Sequence, residues 1–185
     1  MKKYITLFLL VISITYTRAQ RMVYRQKAVE VNVGVLNDKH LGQNYYLGLG
    51  LNIFVRHGNY WMYSVEYQKQ TTLHKNWEIP TENFFGEAGY NFRLLSDRKK
   101  FVALYAGLSV VGGYEVVNKG DSILRDGGIL KNRDQLVYGT GGKLSIETYL
   151  SDRFVFLLTG RIRLLWGTDL EQLRPSSGIG LRFNF

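Results

Sequence analysis

Apolar and polar residues alternate with a period of two along most of this 185-residue chain. At its end, GIGLRFNF places Ile179, Leu181 and Phe183 on one face, with Gly180 and Arg182 on the other. This period is that of a β-strand with one apolar side. The pattern predicts eight strands, at residues 29–35, 45–56, 61–68, 87–94, 101–116, 136–150, 154–166 and 178–185. The composition, with 14% aromatic residues and 20 glycines, also favours strands and tight turns.

The connections between these strands alternate in length. Short turns are predicted at 57–59, 96–99 and 151–153, and longer connections at 37–43, 71–82, 117–134 and 167–176. An even strand number with this alternation is typical of an outer-membrane barrel with short periplasmic turns. The sequence therefore predicts an all-β fold, an eight-stranded antiparallel up-and-down transmembrane barrel with both termini periplasmic. A soluble β-sandwich explains the alternation equally well, but it would expose the face that carries Arg161 and Arg163 to water.

The outward face of the seventh predicted strand resembles a wall against lipid. It has Phe154 and Phe156 at one end, Trp166 at the other and aliphatic residues between them. About twelve residues tilted by about 40° span roughly 30 Å of membrane. The aromatic residues would then lie near the two interfaces, and four side chains are predicted to do so: Tyr45, Trp61, Phe154 and Trp166.

The opposite faces of the strands carry charged residues. Nine are predicted to point into the barrel: Glu30, Glu66, Glu87, Arg93, Lys143, Glu147, Arg161, Arg163 and Arg182. Side chains fill the interior of an eight-stranded barrel, so opposite charges there are expected to pair as a structural plug. The alternative is a proton or ion path. The bulky residues assigned to the interior include Tyr46, Phe54, Phe101 and Tyr105.

The N-terminal segment has the pattern of a signal peptide. Lys2 and Lys3 precede an apolar run at 4–14, and Thr17-Arg18-Ala19 supplies small residues at the positions that a signal peptidase reads. We expect cleavage after Ala19, giving a signal peptide at 1–19, a periplasmic stub at 20–27 and a barrel at 28–185. A membrane anchor is the alternative, but the apolar run is shorter than the roughly 20 residues that a spanning helix needs.

Basic residues outnumber acidic ones by 24 to 15, and the excess persists after the signal peptide is removed. Seven of them are predicted to gather at the periplasmic end: Arg21, Arg25, Lys27, Arg98, Lys99, Lys100 and Arg153. They would meet lipid phosphates or an acidic partner, or simply mark the boundary with water.

No motif predicts catalysis, a cofactor or a metal. The chain has no cysteine, which excludes disulfides, thiolate metal sites and a lipidated cysteine. The segment YGTGGKLS at 138–145 fails the spacing of a phosphate-binding loop. The barrel would place His57 at the end opposite His40 and His74, so a shared metal site or triad is not expected.

Several segments resemble the TraO proteins of Bacteroides-type conjugative transposons. They are AQRMVYRQKAVEVNVGVL, GYEVVNKG, YGTGGKLSIETYLSDRF and LLWGTDLEQLRPSSGIGLRFNF, of which the last is the most specific. The resemblance implies an outer-membrane component of a conjugative transfer apparatus in a Gram-negative bacterium. Its partners would be outer-membrane lipid, other conjugative transfer proteins and the barrel insertion machinery. Outer-membrane barrels in general end in an aromatic residue that this machinery reads, which makes Phe183 and Phe185 the expected insertion signal.

The function expected from the sequence is non-enzymatic. The barrel would act through protein or envelope contacts and not as the DNA conduit, with no direct nucleic-acid binding. The loop at 118–134 is either a contact surface or simply a mobile connection. A small surface barrel for adhesion or envelope integrity is the alternative, and a lipid-modifying enzyme would need a nucleophile beside a base, for which the sequence offers no candidate pair.

Overall fold

Eight strands form a closed barrel in the computed structural model, which describes residues 23–36, 44–74, 77–117, 134–168 and 171–185, with only the backbone described at 72–74, 77–79 and 134. The strands are β1 (Lys27–Leu36), β2 (Tyr45–Phe54), β3 (Tyr60–His74), β4 (Trp77–Ser96), β5 (Val102–Val117), β6 (Asp134–Tyr149), β7 (Phe154–Trp166) and β8 (Leu173–Asn184). Each strand pairs antiparallel with the next, and β1 pairs with β8. The predicted eight-stranded up-and-down barrel is confirmed. No helix within the described ranges is long and apolar enough to cross a membrane.

The seam between β1 and β8 closes the barrel. Glu30 lies opposite Arg182 and Gly34 lies opposite Gly178. The N–H of Phe185 donates to the carbonyl of Lys27 at 2.9 Å, so the pairing continues to the last residue of the sequence. The apolar final strand is therefore a paired strand and not an exposed edge that would invite aggregation.

The two glycines of this seam make room for a large interior side chain. A Cβ atom at Gly34 or at Gly178 would collide with the ring of Tyr46. The ring can therefore pass close to the backbone of both strands, and it is fully buried there.

Two predicted connections are wrong in extent. Residues 71–82 were expected to form a loop, but β3 continues to His74 and β4 begins at Trp77. Likewise β8 begins at Leu173, inside the connection predicted at 167–176. Both segments lack a clear apolar alternation, and each contains a proline, Pro80 or Pro175. Each proline lies just beyond the last pair on one side of its strand, where a missing N–H removes no ladder bond.

The barrel has two different ends. We call the end with the short connections at 55–59, 97–101 and 150–153 the turn end, and the opposite one the loop end. The wall is tallest where β3 to β6 stand, with 15, 20, 16 and 16 residues against 10 in each of β1 and β2. On β3 the extra residues, 70–74, extend beyond β2 at the loop end, whereas on β4 residues 92–96 extend beyond β3 at the turn end.

Strand β7 illustrates the two faces of the wall. It spans the residues that the sequence predicted, and its outward side chains, including Phe154, Leu158 and Trp166, are exposed. Its inward Leu157 and Arg163 are buried.

The prediction that Phe101 points into the barrel is wrong, because its side chain is 48% exposed. It precedes β5, which begins at Val102, so the alternation of that strand does not extend to it.

Candidate functional site: the barrel interior

The first interior cluster lies toward the turn end and centres on Arg182; we call it the Arg182 cluster. Its members are Glu30 of β1, Asn52 of β2, Tyr60 of β3, Glu147 of β6 and Arg182 of β8. Arg182 Nη2 lies 2.7 Å from Glu30 Oε2, and Arg182 Nη1 lies 2.7 Å from Glu147 Oε2. One guanidinium therefore pairs with two carboxylates, one from the neighbouring β1 and one from β6.

Neutral groups complete the Arg182 cluster. Tyr60 Oη accepts from Arg182 Nη2 and donates to Glu147 Oε1, both at 2.8 Å. Asn52 Nδ2 donates to Glu30 Oε2 at 2.7 Å. All five residues are buried. Buried charges are tolerated when they are paired and hydrogen-bonded in this way.

The second cluster lies nearer the middle of the barrel; we call it the Arg163 cluster, formed by Glu66, Glu87, Arg161 and Arg163. Glu66 lies between the two guanidiniums, 2.6 Å from Arg161 Nη1 and 2.7 Å from Arg163 Nη1. Arg163 also pairs with Glu87 of β4. Two cations and two carboxylates from β3, β4 and β7 thus balance one another.

Aromatic rings flank the guanidiniums of the Arg163 cluster. Arg161 stacks over the ring of Tyr46 at 4.1 Å from its centroid, and Arg163 lies 5.4 Å from the centroid of Phe85. Such cation–π contacts stabilise a cation that burial has removed from water. They also fill the space that would otherwise be a channel.

Lys143 of β6 lies between the two clusters. It is buried, and its Nζ contacts Met62 Sδ at 3.3 Å and the ring of Tyr60 at 5.8 Å from its centroid. Within the described part of the chain, Lys143 forms no ion pair with a carboxylate at 4.0 Å or less. A cavity beside it, also lined by Asn32 and Arg161, has a water-accessible volume of about 20 Å³. This is room for about one water.

Arg93, the remaining predicted interior charge, lies at the turn end of β4. It is partly exposed and stands opposite Tyr105 in the β4–β5 register. Its backbone N–H donates to Asn59 Oδ1 at 2.9 Å, which fixes the neighbouring turn at 55–59.

A third cluster, at the loop end, was missed by the sequence analysis; we call it the Arg174 cluster. Arg174 Nη2 lies 2.8 Å from Glu115 Oε2, and Thr168 Oγ1 and Gln135 Nε2 also donate to Glu115. Glu115 was overlooked on β5, and Arg174 was assigned to a loop. A signal was available, because Arg174 is eight residues before Arg182 and therefore has the same parity in one strand.

The interior charges balance. Apart from the partly exposed Arg93, the described wall turns five carboxylates inward (Glu30, Glu66, Glu87, Glu115, Glu147) and five cations (Lys143, Arg161, Arg163, Arg174, Arg182). Large buried side chains, among them Phe54, Tyr60, Tyr105 and Tyr149, occupy the remaining space toward the turn end. The interior of the described wall is thus a packed, self-neutralising network.

A family model described as conjugative transposon protein TraO matches residues 23–185. The chain belongs to the TraO family. The resemblance noted in the sequence is confirmed, and the match covers every strand of the barrel. None of the curated protein sequences matches the chain.

Solved structures share the fold of this TraO barrel. Neisserial surface protein A has a TM-score of 0.60 at 13% identity, covering 86% of this chain and 97% of its own. Ail, the attachment invasion locus protein of Yersinia pestis, in complex with the heparin analogue sucrose octasulfate, has a TM-score of 0.56 at 11% identity over 88% and 100%. The N-terminal β-barrel domain of Pseudomonas aeruginosa OprF has a TM-score of 0.51 at 13% identity, covering 88% of this chain and 98% of its own. The TraO chain therefore has the fold of small outer-membrane barrels.

Exposed aromatic residues form a belt at each end of the TraO barrel. At the turn end, Trp61 packs edge-on against Tyr90, and Phe154 packs against Phe183, with ring centroids 4.8 and 5.2 Å apart. Phe183 also stacks on Phe185, the second residue of the predicted insertion signal, and both point outward. Tyr45 and Trp166 belong to the loop end, where they neighbour other tyrosines, Tyr67 and Tyr138. Their role at the membrane interfaces stays a prediction.

Some of the predicted sites lie outside the described residues. These are the signal peptide, Arg21, His40 and nearly all of the loop at 118–134. His57 is exposed in the turn at 55–59 with a φ of 63°, and of His74 only the backbone is described. No three histidine, aspartate or glutamate side chains of the described ranges come together as metal ligands.

Proposed function

We propose that this TraO-family protein is a non-enzymatic component of the outer membrane that supports conjugative DNA transfer through contacts with other transfer proteins or with the envelope. It does not conduct the DNA itself. The observation that carries the proposal is the interior, where paired charges from seven strands and large aromatic residues occupy the cross-section. Even a single DNA strand would have to displace these ion pairs.

Charge supports the same conclusion about DNA. A conduit for a polyanion should offer unpaired cations, because phosphate neutralisation provides most of the affinity for nucleic acid. The buried interior charges instead balance, with five carboxylates and five cations, and four of these cations form ion pairs. We therefore infer that the interior stabilises the barrel and that partner contacts belong to its two ends.

Orientation follows from the unequal ends. Short connections are periplasmic in outer-membrane barrels, so the turn end and both chain ends should face the periplasm. Residues 1–19 would direct export, and Phe183 with Phe185 would be recognised during insertion. Replacing both phenylalanines with serine should leave the mature protein degraded or periplasmic, whereas normal membrane insertion would contradict their role as a signal.

The long connections at the loop end are the best candidates for partner contacts. Replacing the central part of 118–134 with a short Gly/Ser linker should lower transfer and leave insertion intact. The matched control shortens the connection at 37–43 in the same way. Full transfer by the first variant would instead favour the turn end as the contact surface.

The experiment that tests the function is an in-frame deletion of this gene from its mobile element. Transfer frequency should fall, and wild-type protein supplied in trans should restore it. Unchanged transfer would contradict the proposal. An unrelated mobile element in the same donor is the control: if its transfer falls equally and the cells become sensitive to detergent, the protein has the alternative function in envelope integrity.

A further inference from the structure

The turn between β4 and β5 combines a basic and an apolar surface. Arg98, Lys99 and Lys100 are consecutive and exposed. The turn is closed by backbone bonds, from the N–H of Asp97 to the carbonyl of Val102 at 3.0 Å and from the N–H of Lys100 to the carbonyl of Asp97 at 2.9 Å. Three cations are therefore presented together at the turn end of the barrel.

The carboxylate of this turn interacts with the backbone. Asp97 Oδ2 accepts the backbone N–H of Lys99 at 3.4 Å. Neither Arg98 nor Lys99 forms an ion pair with a described carboxylate. The turn therefore keeps an excess of positive charge.

A β-bulge creates the apolar part of the surface. The β4–β5 register passes from Arg93 opposite Tyr105 to Leu95 opposite Leu104, so Leu94 is an extra residue. In a regular strand one of two successive side chains would point inward. Here Leu94 and Leu95 are 52% and 69% exposed, beside Phe101 at 48% and Val102 at 43%. Four apolar side chains thus surround the base of the basic turn.

We propose that this β4–β5 turn binds the phosphate of an anionic glycerophospholipid at the periplasmic leaflet. Leu94, Leu95, Phe101 and Val102 would lie among the upper acyl chain segments, continuing the lipid-facing wall, while the three cations reach the headgroup phosphates. An acidic protein would satisfy the cations, but it would leave the two leucines facing polar groups or water. The apolar collar therefore favours a lipid over an acidic protein as the ligand.

The other two short turns differ from this one. The turn at 55–59 carries Arg56, which lies 5.9 Å from the ring centroid of Tyr24. The turn at 150–153 carries Arg153 next to Asp152. Neither has three adjacent cations or a bulge with two exposed leucines, so these turns supply matched controls.

The test measures lipid selectivity with spin-labelled lipids and the full mature barrel in bilayers of zwitterionic phosphatidylcholine. Labelled phosphatidylglycerol and labelled phosphatidylcholine are compared for the fraction of lipid immobilised at the protein. Both leaflets have the same composition, so the result does not depend on orientation or on any role in transfer. The inference rests on the proposed membrane location, which heat-modifiable migration of every sample checks separately.

Wild-type protein should prefer the anionic lipid at low salt. The triple variant Arg98→Ser, Lys99→Ser, Lys100→Asn should reduce that preference by about fivefold or more, because each interfacial cation contributes a factor of this order. The asparagine suits the φ of 56° at position 100. A charge-keeping variant, Arg98→Lys with Lys99→Arg, should retain the preference, as should Arg56→Ser with Arg153→Ser.

Three outcomes would overturn the proposal. Equal immobilisation of the two lipids by wild-type protein would leave an acidic protein as the better-fitting ligand. An equal loss in the Arg56 and Arg153 control would show a diffuse rim effect and not a site at this turn. Displacement of the labelled lipid by soluble glycerol phosphate would show that the phosphate is bound without its acyl chains, whereas the proposal predicts no displacement.

Discussion

The Arg182 and Arg174 clusters both compensate buried carboxylates with a guanidinium, the first toward the turn end and the second at the loop end. In the Arg182 cluster, Glu30 and Glu147 both depend on one guanidinium, and all three residues are buried in the wall. In the Arg174 cluster, one guanidinium serves a single carboxylate, Glu115, which also accepts from the neutral donors Thr168 and Gln135. Neutral donors are common to both clusters, because Asn52 donates to Glu30 and Tyr60 donates to Glu147. The difference teaches that the cost of losing a cation depends on how many carboxylates rely on it.

The largest loss should follow Arg182→Met. Two buried carboxylates would lose their cation, and a broken buried pair costs about 3–5 kcal/mol. The measurement is the free energy of unfolding in urea for protein folded in lipid vesicles.

A rescue variant sharpens this prediction. Adding Glu147→Gln to Arg182→Met removes the carboxylate in excess and leaves Glu30 beside Lys143, so most of the lost stability should return. If the double variant is no more stable than Arg182→Met, the loss comes from packing and not from uncompensated charge.

An intermediate loss should follow Arg163→Met. Glu87 would lose its partner, while Glu66 would keep Arg161 at 2.6 Å. One stranded carboxylate corresponds to about 3 kcal/mol in the same unfolding measurement. A loss as large as that of Arg182→Met would mean that Arg161 cannot compensate for Arg163.

The smallest of the three losses should follow Arg174→Met. Glu115 would keep the hydroxyl of Thr168 at 2.8 Å and the amide of Gln135 at 3.0 Å. We expect a loss of about 1–2 kcal/mol. An effect equal to that of Arg182→Met would show that the cost does not depend on how many carboxylates share the guanidinium and would remove the distinction between the two clusters.

The sequence predicted which side chains point into the barrel better than it predicted where the strands begin and end. Alternation assigned Arg182 and Glu147 to the interior, because a strand turns every second residue to the same side. Alternation does not say which strands face one another across the barrel, so the sharing of Arg182 by two carboxylates needed the closed structure.

The errors lie where apolar alternation ends and backbone pairing continues. Beyond Thr71 on β3 and before Ile179 on β8, polar residues interrupt the apolar alternation, although the backbone still pairs as a strand. The bulge at Leu94 likewise changes the parity of β4 without any proline or glycine to signal it. The surface of the β4–β5 turn therefore became visible only in the structure.

The central claim is that the paired interior closes the barrel to DNA, and single-channel recording in planar bilayers tests it most directly. Purified wild-type protein should show no large, stable conductance, because the Arg182 and Arg163 clusters and the buried aromatic residues fill the cross-section. The variant Arg182→Met with Glu147→Gln should at most add brief, small openings. A wide, stable pore through which single-stranded DNA passes would contradict the account.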